Sequence, residues 1–213
     1  MSSAPISTLF TLPEGWRLAR EDAQAALYGN AAGDILSINF FDMMPDIDAA
    51  LDDVDGLRRT YRRATIENDL ALIETETAQV DGLPAVRTLF KGRMDPRGFV
   101  FMGAYTLPFA ASSYVVRVQS EERGTTGMRE TMVFMMAGLR DSDPVTRKII
   151  GWEQDPYEPG RTDAFMRNLA DDAKHDAMIP DHPLTKVRTY LAEIEASMRV
   201  APIVRALPPF HYP

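Results

Sequence analysis

Apolar positions recur along the chain with a period of two in some stretches and of three to four in others, and this divides it into strands and helices. Residues 9–12 read as a short strand, stopped by the turn triplet Pro13-Glu14-Gly15, with Trp16 anchoring the return. Residues 25–28 and 35–41 are expected to be strands joined through the Gly-containing turn at 29–34. In the second of these, Leu36, Ile38 and Phe40 share one face and are expected to point to the core. Asp46 is a suitable cap for a helix over 46–67, whose stripe is Ile47, Leu51, Val54, Leu57, Tyr61 and Ala64. Its aspartates precede its arginines, an order that suits the helix dipole, and Asp55 and Arg59 form an i,i+4 pair.

Strands are expected at 70–80, 85–91, 99–107 and 113–120. Residues 98–116 carry no charge. Pro108 within that run, and its β-branched and aromatic content, make it a buried hairpin rather than a membrane span. A helix capped by Thr125 or Thr126 should run to Leu139 and bury Met128, Thr131 or Met132, Met135 and Leu139. Beyond Asp141-Ser142-Asp143-Pro144, a linker signal, lie a turn-rich stretch at 151–161, a helix expected from Thr162 to His175, and a final helix over 184–200. Val187, Leu191, Ile194 and Met198 form the apolar face of that last helix. The tail from 201 has four prolines and is expected to be extended or disordered.

The implied fold class is α+β: an antiparallel sheet of about six to eight strands with two helices packed on it, plus a C-terminal helical extension. The expected division is a domain over 1–140, an extension docked on it over 141–200, and a Pro-rich tail over 201–213.

The chain has 213 residues, 45% apolar and 25% charged, which suits one globular unit with a sizeable core. The formal net charge of -8 disfavours nucleic acid as a partner and fits a basic one. The absence of cysteine excludes disulfides, thiolate nucleophiles and Cys-ligated zinc. The N-terminus has neither a basic segment nor an apolar one of signal-peptide type, so a cytoplasmic location is expected, with export by machinery that needs no N-terminal signal left open.

Four constellations bear on chemistry. The basic run Arg58, Arg59, Arg62, Arg63 reads as a solvated helix face balanced by the preceding aspartates, or as an anion site. The turn at 121–130 brings Arg123, Arg129 and Glu130 to a helix start, where free backbone N–H groups hold anions, or it is a strand-to-helix turn with a Thr cap and Glu–Arg pairs on its rim. Neither a P-loop nor a dinucleotide fingerprint is present, and no cofactor is expected. The histidines are His175, His182 and His211. His175, Asp176, Asp181 and His182 lie near one another without zinc-site spacing, and no nucleophile elbow supports a serine triad. Glu74 and Glu76 share a strand face, as glycosidase carboxylates do, but a solvent-facing strand gives the same pattern. The fourth set lies in the extension: Trp152, Asp155, Tyr157, Arg167, Asn168, Asp171, Asp172, His175 and His182. It either packs back on its own domain or docks a partner, since aromatics with Arg resemble interface anchors.

The opening Phe10-x-Leu12-Pro13-x-Gly15-Trp16, followed by two hairpins, a helix, a four-strand meander and a helix, resembles PsbP-like domains. These include DcrB-like proteins and the Eag-type chaperones of secretion effectors. The resemblance covers about residues 7–140. It implies an antiparallel sheet with helices packed on it, and protein binding without catalytic residues.

The functional expectation is a non-enzymatic module that binds another protein, as an adaptor, chaperone or protective partner, with a link to secretion. The candidate contact residues are Arg123, Arg129, Glu130, Trp152, Tyr157 and Arg167. Two alternatives stand beside it. One is a hydrolase or small-ligand protein with its site at the 121–130 turn and the extension as a lid. The other is self-assembly, by homo-oligomer formation.

Overall fold

A computed structural model describes residues 4–212. Seven strands form one antiparallel sheet in the order β2-β3-β4-β8-β7-β6-β5. They are β2 (Arg17–Glu21), β3 (Ala25–Gly29), β4 (Ile35–Phe41), β5 (Leu70–Val80), β6 (Leu83–Arg93), β7 (Phe99–Pro108) and β8 (Ser113–Glu121). A short β1 (Phe10–Thr11) pairs with β9 (Arg199–Val200), so the two ends of the chain meet. The helices are α1 (Val54–Glu67), α2 (Met128–Ala137), α3 (Pro183–Ser197) and the one-turn α4 (Pro202–Arg205). The expected α+β class and antiparallel sheet are observed. The uncharged run forms the β7–β8 hairpin, and among the described residues no helix is long and apolar enough to cross a membrane.

The main core lies between one sheet face and α3. Leu36, Ile38, Val116 and Val118 from the sheet meet Leu184, Val187, Leu191 and Ile194, all fully buried. The approach is close because β7 carries Gly103 under the helix. A Cβ there would stand 2.6 Å from Leu191 Cδ1 and 2.8 Å from Val187 Cγ1. The Tyr105 hydroxyl donates to Glu195 (2.8 Å) beside this contact. The other sheet face is covered at its β5–β6 end by α1, together with Ile47 and Phe210. There Leu57 packs with Val86, and Tyr61 approaches Phe90. Leu27, Ile35 and Phe41, on β3 and β4, remain exposed.

Several expectations are corrected. Helix α1 starts eight residues later than Asp46. Its cap is Asp53, whose side chain accepts from Gly56 N at 2.9 Å. The apolar residues that extended the stripe, Ile47 and Leu51, pack from irregular backbone into the cluster with Leu57 and Phe210. The return strand expected after Trp16 forms as β2, a polar and largely exposed edge, but it pairs with β3 while β1 pairs with β9, so the first expected hairpin is absent. The helix expected from Thr162 to His175 is replaced by two 3-10 segments, Leu169–Asp171 and Ala173–Met178. A capping box closes the first after one turn. Asn168 accepts from Ala170 N (2.9 Å), and Asp171 accepts from Asn168 N (2.8 Å). In the tail, α4 buries Val204, and Ala110 N donates to Pro208 O (3.0 Å), which lays residues 208–209 against the β7–β8 turn.

Candidate functional site

The largest departure from the sequence pattern is at α2, and it defines the site. The helix is framed by Gly127 (φ 73°) and Gly138 (φ 63°), left-handed positions that glycine takes without strain. Its buried residues are Arg129 and Val133, one turn apart. The methionine stripe expected inside therefore faces out. Met128 is 54% exposed, Met132 40%, Met135 77% and Met136 56%. The inward face is polar because α2 packs chiefly on the Leu169–Asp171 segment rather than on the sheet. Arg129, fully buried, donates from Nε to Ala170 O (2.5 Å) and from Nη2 to Asp172 O (3.0 Å) and Asp176 Oδ1 (2.7 Å). Nη1 reaches the Thr185 hydroxyl at 3.0 Å. One guanidinium thus joins α2, both 3-10 segments and α3.

Beside it lies a buried polar chamber. Lys91 and Asp171 form an ion pair at 2.6 Å with both side chains fully buried. Glu122, at the exit of β8, accepts from Phe99 N (3.0 Å) through one oxygen and from Gly127 N (2.9 Å) through the other. His182 caps α3 by accepting from Leu184 N through Nδ1 (3.2 Å), and its ring stands edge-on to Phe101. Its Nε2 is 3.6 Å from Glu122 Oε1, beyond hydrogen-bond reach. Glu130 points inward from α2, and neither carboxylate oxygen has a hydrogen-bond partner. Burial works to raise the Glu122 carboxyl, but His182 and the N–H groups of Gly127 and Phe99 outweigh it and hold the group below the usual carboxylate range. Glu130 is pushed above that range, chiefly by burial, with Asp171 and Glu122 adding to the effect and Lys91 opposing it.

A groove of about 310 Å³ opens above this chamber. Met128 and Met132 form its α2 wall, Ile179 and Lys186 the opposite one, and Arg123, Glu122 and His182 complete it.

The six expected contact residues do not form one site. Arg123 lines the groove and donates to Gly33 O (2.9 Å) and Ala32 O (3.3 Å). Arg129 and Glu130 lie beneath it. Trp152 stands edge-on to Phe134 on α2. Tyr157 is far from the groove, accepting from Thr75 N (2.6 Å) on β5 with the Arg58 guanidinium over its ring. Arg167 pairs with Asp172. Of these only Arg123 reaches the groove, so the shared pocket expected for a hydrolase is not built from them.

The basic run divides: Arg59 and Arg63 are exposed and pair with Asp53 and Asp48, as expected of a balanced solvated face, while Arg62 and Arg58 turn inward. Arg62 is buried and holds Asp155 through two bonds (2.6 and 2.9 Å), and Arg58 pairs with Glu76. Asp55 pairs with Arg58 at i,i+3 rather than with Arg59. Glu74 does not face open solvent; Arg188 and Arg87 hold it. The His175–His182 cluster does not form; His182 turns instead to Glu122 and Glu130. Sequence reasoning included Glu122 in the 121–130 turn without naming it as a contact residue, and missed the inward role of His182. The available signal was the polar pair Arg129–Glu130 set against Val133 on the side of α2 opposite the methionines.

No family model matches the chain, and no curated protein matches it. Among solved structures it is similar to the Ran-binding protein Mog1p of Saccharomyces cerevisiae, with a TM-score of 0.51 over 93% of this chain and 94% of that one, at 10% identity. What the two share is the fold. LpqN of Mycobacterium tuberculosis, involved in cell envelope biogenesis, aligns over 60% of this chain and 75% of its own at 16% identity, with a TM-score of 0.27.

Proposed function

We propose that this chain is a non-enzymatic protein-binding module whose docking surface is the outward face of α2 with the groove beside it. The observation that carries this reading is the methionine stripe, an apolar helix face turned to solvent. Exposed apolar patches mark interaction sites, and flexible methionines adapt to the partner's side chains. The naming of Mog1p as Ran-binding supports a binding role for a chain of this fold. The chain's net charge of -8 favours a partner segment that is apolar with basic flanks, while the groove itself carries both signs, Glu121 and Asp181 against Arg123 and Lys186. The order of strands and helices supports the PsbP-like kinship, which belongs to the same proposal. So do a cytoplasmic place of action and an adaptor or chaperone duty.

The test is affinity capture from the native cells with the wild-type chain and with a Met132→Glu/Met135→Glu variant. Both positions are exposed, so the variant should unfold at the wild-type temperature. The wild type is expected to recover a stoichiometric protein that the variant loses. Equal recovery by both, or none by the wild type, refutes the docking surface. Light scattering on the wild type separates a second copy of the chain from a different partner.

A further inference from the structure

We propose that Glu122, Glu130 and His182 hold a divalent first-row transition-metal ion beneath the groove. The inference is independent of the protein-binding reading. The three side chains come from the exit of β8, the first turn of α2 and the cap of α3, and each offers one ligand atom within 4.8 Å of the others. His182 carries the argument. Its side chain is only 5% exposed, its Nε2 has no hydrogen-bond partner, and it is aimed at the two carboxylates. Both Glu130 oxygens are likewise buried without a partner. Two carboxylates therefore converge, and among the described residues their only salt-bridge partner is the His182 imidazole itself, 3.6 Å from Glu122 Oε1. Lys91, whose charge acts on Glu130, is already engaged by Asp171. Waters would satisfy the acceptors but would not neutralise them, whereas a divalent ion does both.

An imidazole nitrogen with two carboxylate oxygens suits zinc, manganese, iron or cobalt better than magnesium, which takes oxygen alone. Bonds of about 2.0–2.2 Å place tetrahedral ligands roughly 3.3 Å apart, so from separations within 4.8 Å the set must contract by up to roughly 1.5 Å. Glu130 can supply that movement, because its carboxylate breaks no hydrogen bond in moving. Coordination through Nε2 shifts the imidazole proton to Nδ1 and gives up the contact with Leu184 N, one cap bond exchanged for a metal bond. Glu122 and His182 also line the groove, so a water or a partner's side chain can complete the coordination from that side.

The test is titration of the full chain, first treated with chelator, with Co2+ followed by visible absorption and by equilibrium dialysis. One ion per chain with a tetrahedral-type spectrum is expected, not displaced by a large excess of Mg2+. Glu130→Gln keeps the shape of a side chain that makes no hydrogen bond. His182→Asn keeps an acceptor for Leu184 N. Each should weaken Co2+ binding roughly 100-fold or more, since loss of a mere supporting contact already costs ~10–100-fold. His175→Ala should leave it unchanged. In the wild type, the Leu184 amide should exchange faster when the ion is bound. Failure to bind one ion saturably, unaltered affinity in both variants, or displacement by Mg2+ would each overturn the site.

Discussion

Lys91→Ala is expected to lower the free energy of unfolding by about 3–5 kcal/mol, because it leaves a buried carboxylate without its counter-charge. Lys91 and Asp171 are both fully buried at 2.6 Å, and the ammonium lies 4.9 Å from the centre of the Phe99 ring. Asp171 already has one oxygen without a partner, so removing Lys91 leaves only Asn168 N to stabilise its charge. Lys91→Met with Asp171→Asn should recover most of the loss. Asparagine still accepts from Asn168 N, and no isolated charge remains. Urea denaturation of the two variants measures both quantities. A loss under about 1 kcal/mol for Lys91→Ala would mean that water reaches the pair.

Gly103→Val is expected to destabilise the chain by about 3 kcal/mol and Gly103→Ala by about 1 kcal/mol, the range for overpacked cores. The reason is steric. The added Cβ would stand 2.6 Å from Leu191 Cδ1 and 2.8 Å from Val187 Cγ1, which are fully buried and have no room to retreat. Helix α3 must lift from β7 or the strand must bend. Leu191→Ala alone costs about 2–5 kcal/mol through the cavity it leaves. Combined with Gly103→Val it should cost less than the sum, since the new side chain fills that cavity. Strict additivity in thermal unfolding would show that α3 does not seat on Gly103.

Much of the sheet was legible because its strands alternate or run apolar without a break. The strand expected at 70–80 is β5 residue for residue, and Leu36 and Ile38 face the core as their spacing requires. The apolar face of α3 was legible for the same reason: Val187, Leu191 and Ile194 recur at helical spacing and meet one core. What failed was any reading in which the partner is distant in sequence. Arg62 looked solvated until Asp155, 93 residues on, closed over it. The α2 stripe was read as core because periodicity reports which side is apolar, not which side is inside. Here the inside is a polar network of Arg129, Lys91, Asp171, Glu122 and Glu130, whose members come from four separate segments. No local pattern announces such a network, and its burial inverts the helix. The candidate site was therefore half visible: the 121–130 turn was singled out, but His182 was grouped with His175, and Glu122 with the surface.

The docking of a partner on α2 is tested most directly by hydroxyl-radical footprinting of the chain alone and in complex with the protein it captures. The prediction is that Met128, Met132, Met135 and Met136 oxidise readily in the free chain and are protected in the complex, while Leu27, Ile35 and Phe41 on the open sheet face react equally in both. Methionines that stay reactive in the complex, with protection at Leu27, Ile35 and Phe41 instead, would contradict the account and move the interface to the sheet.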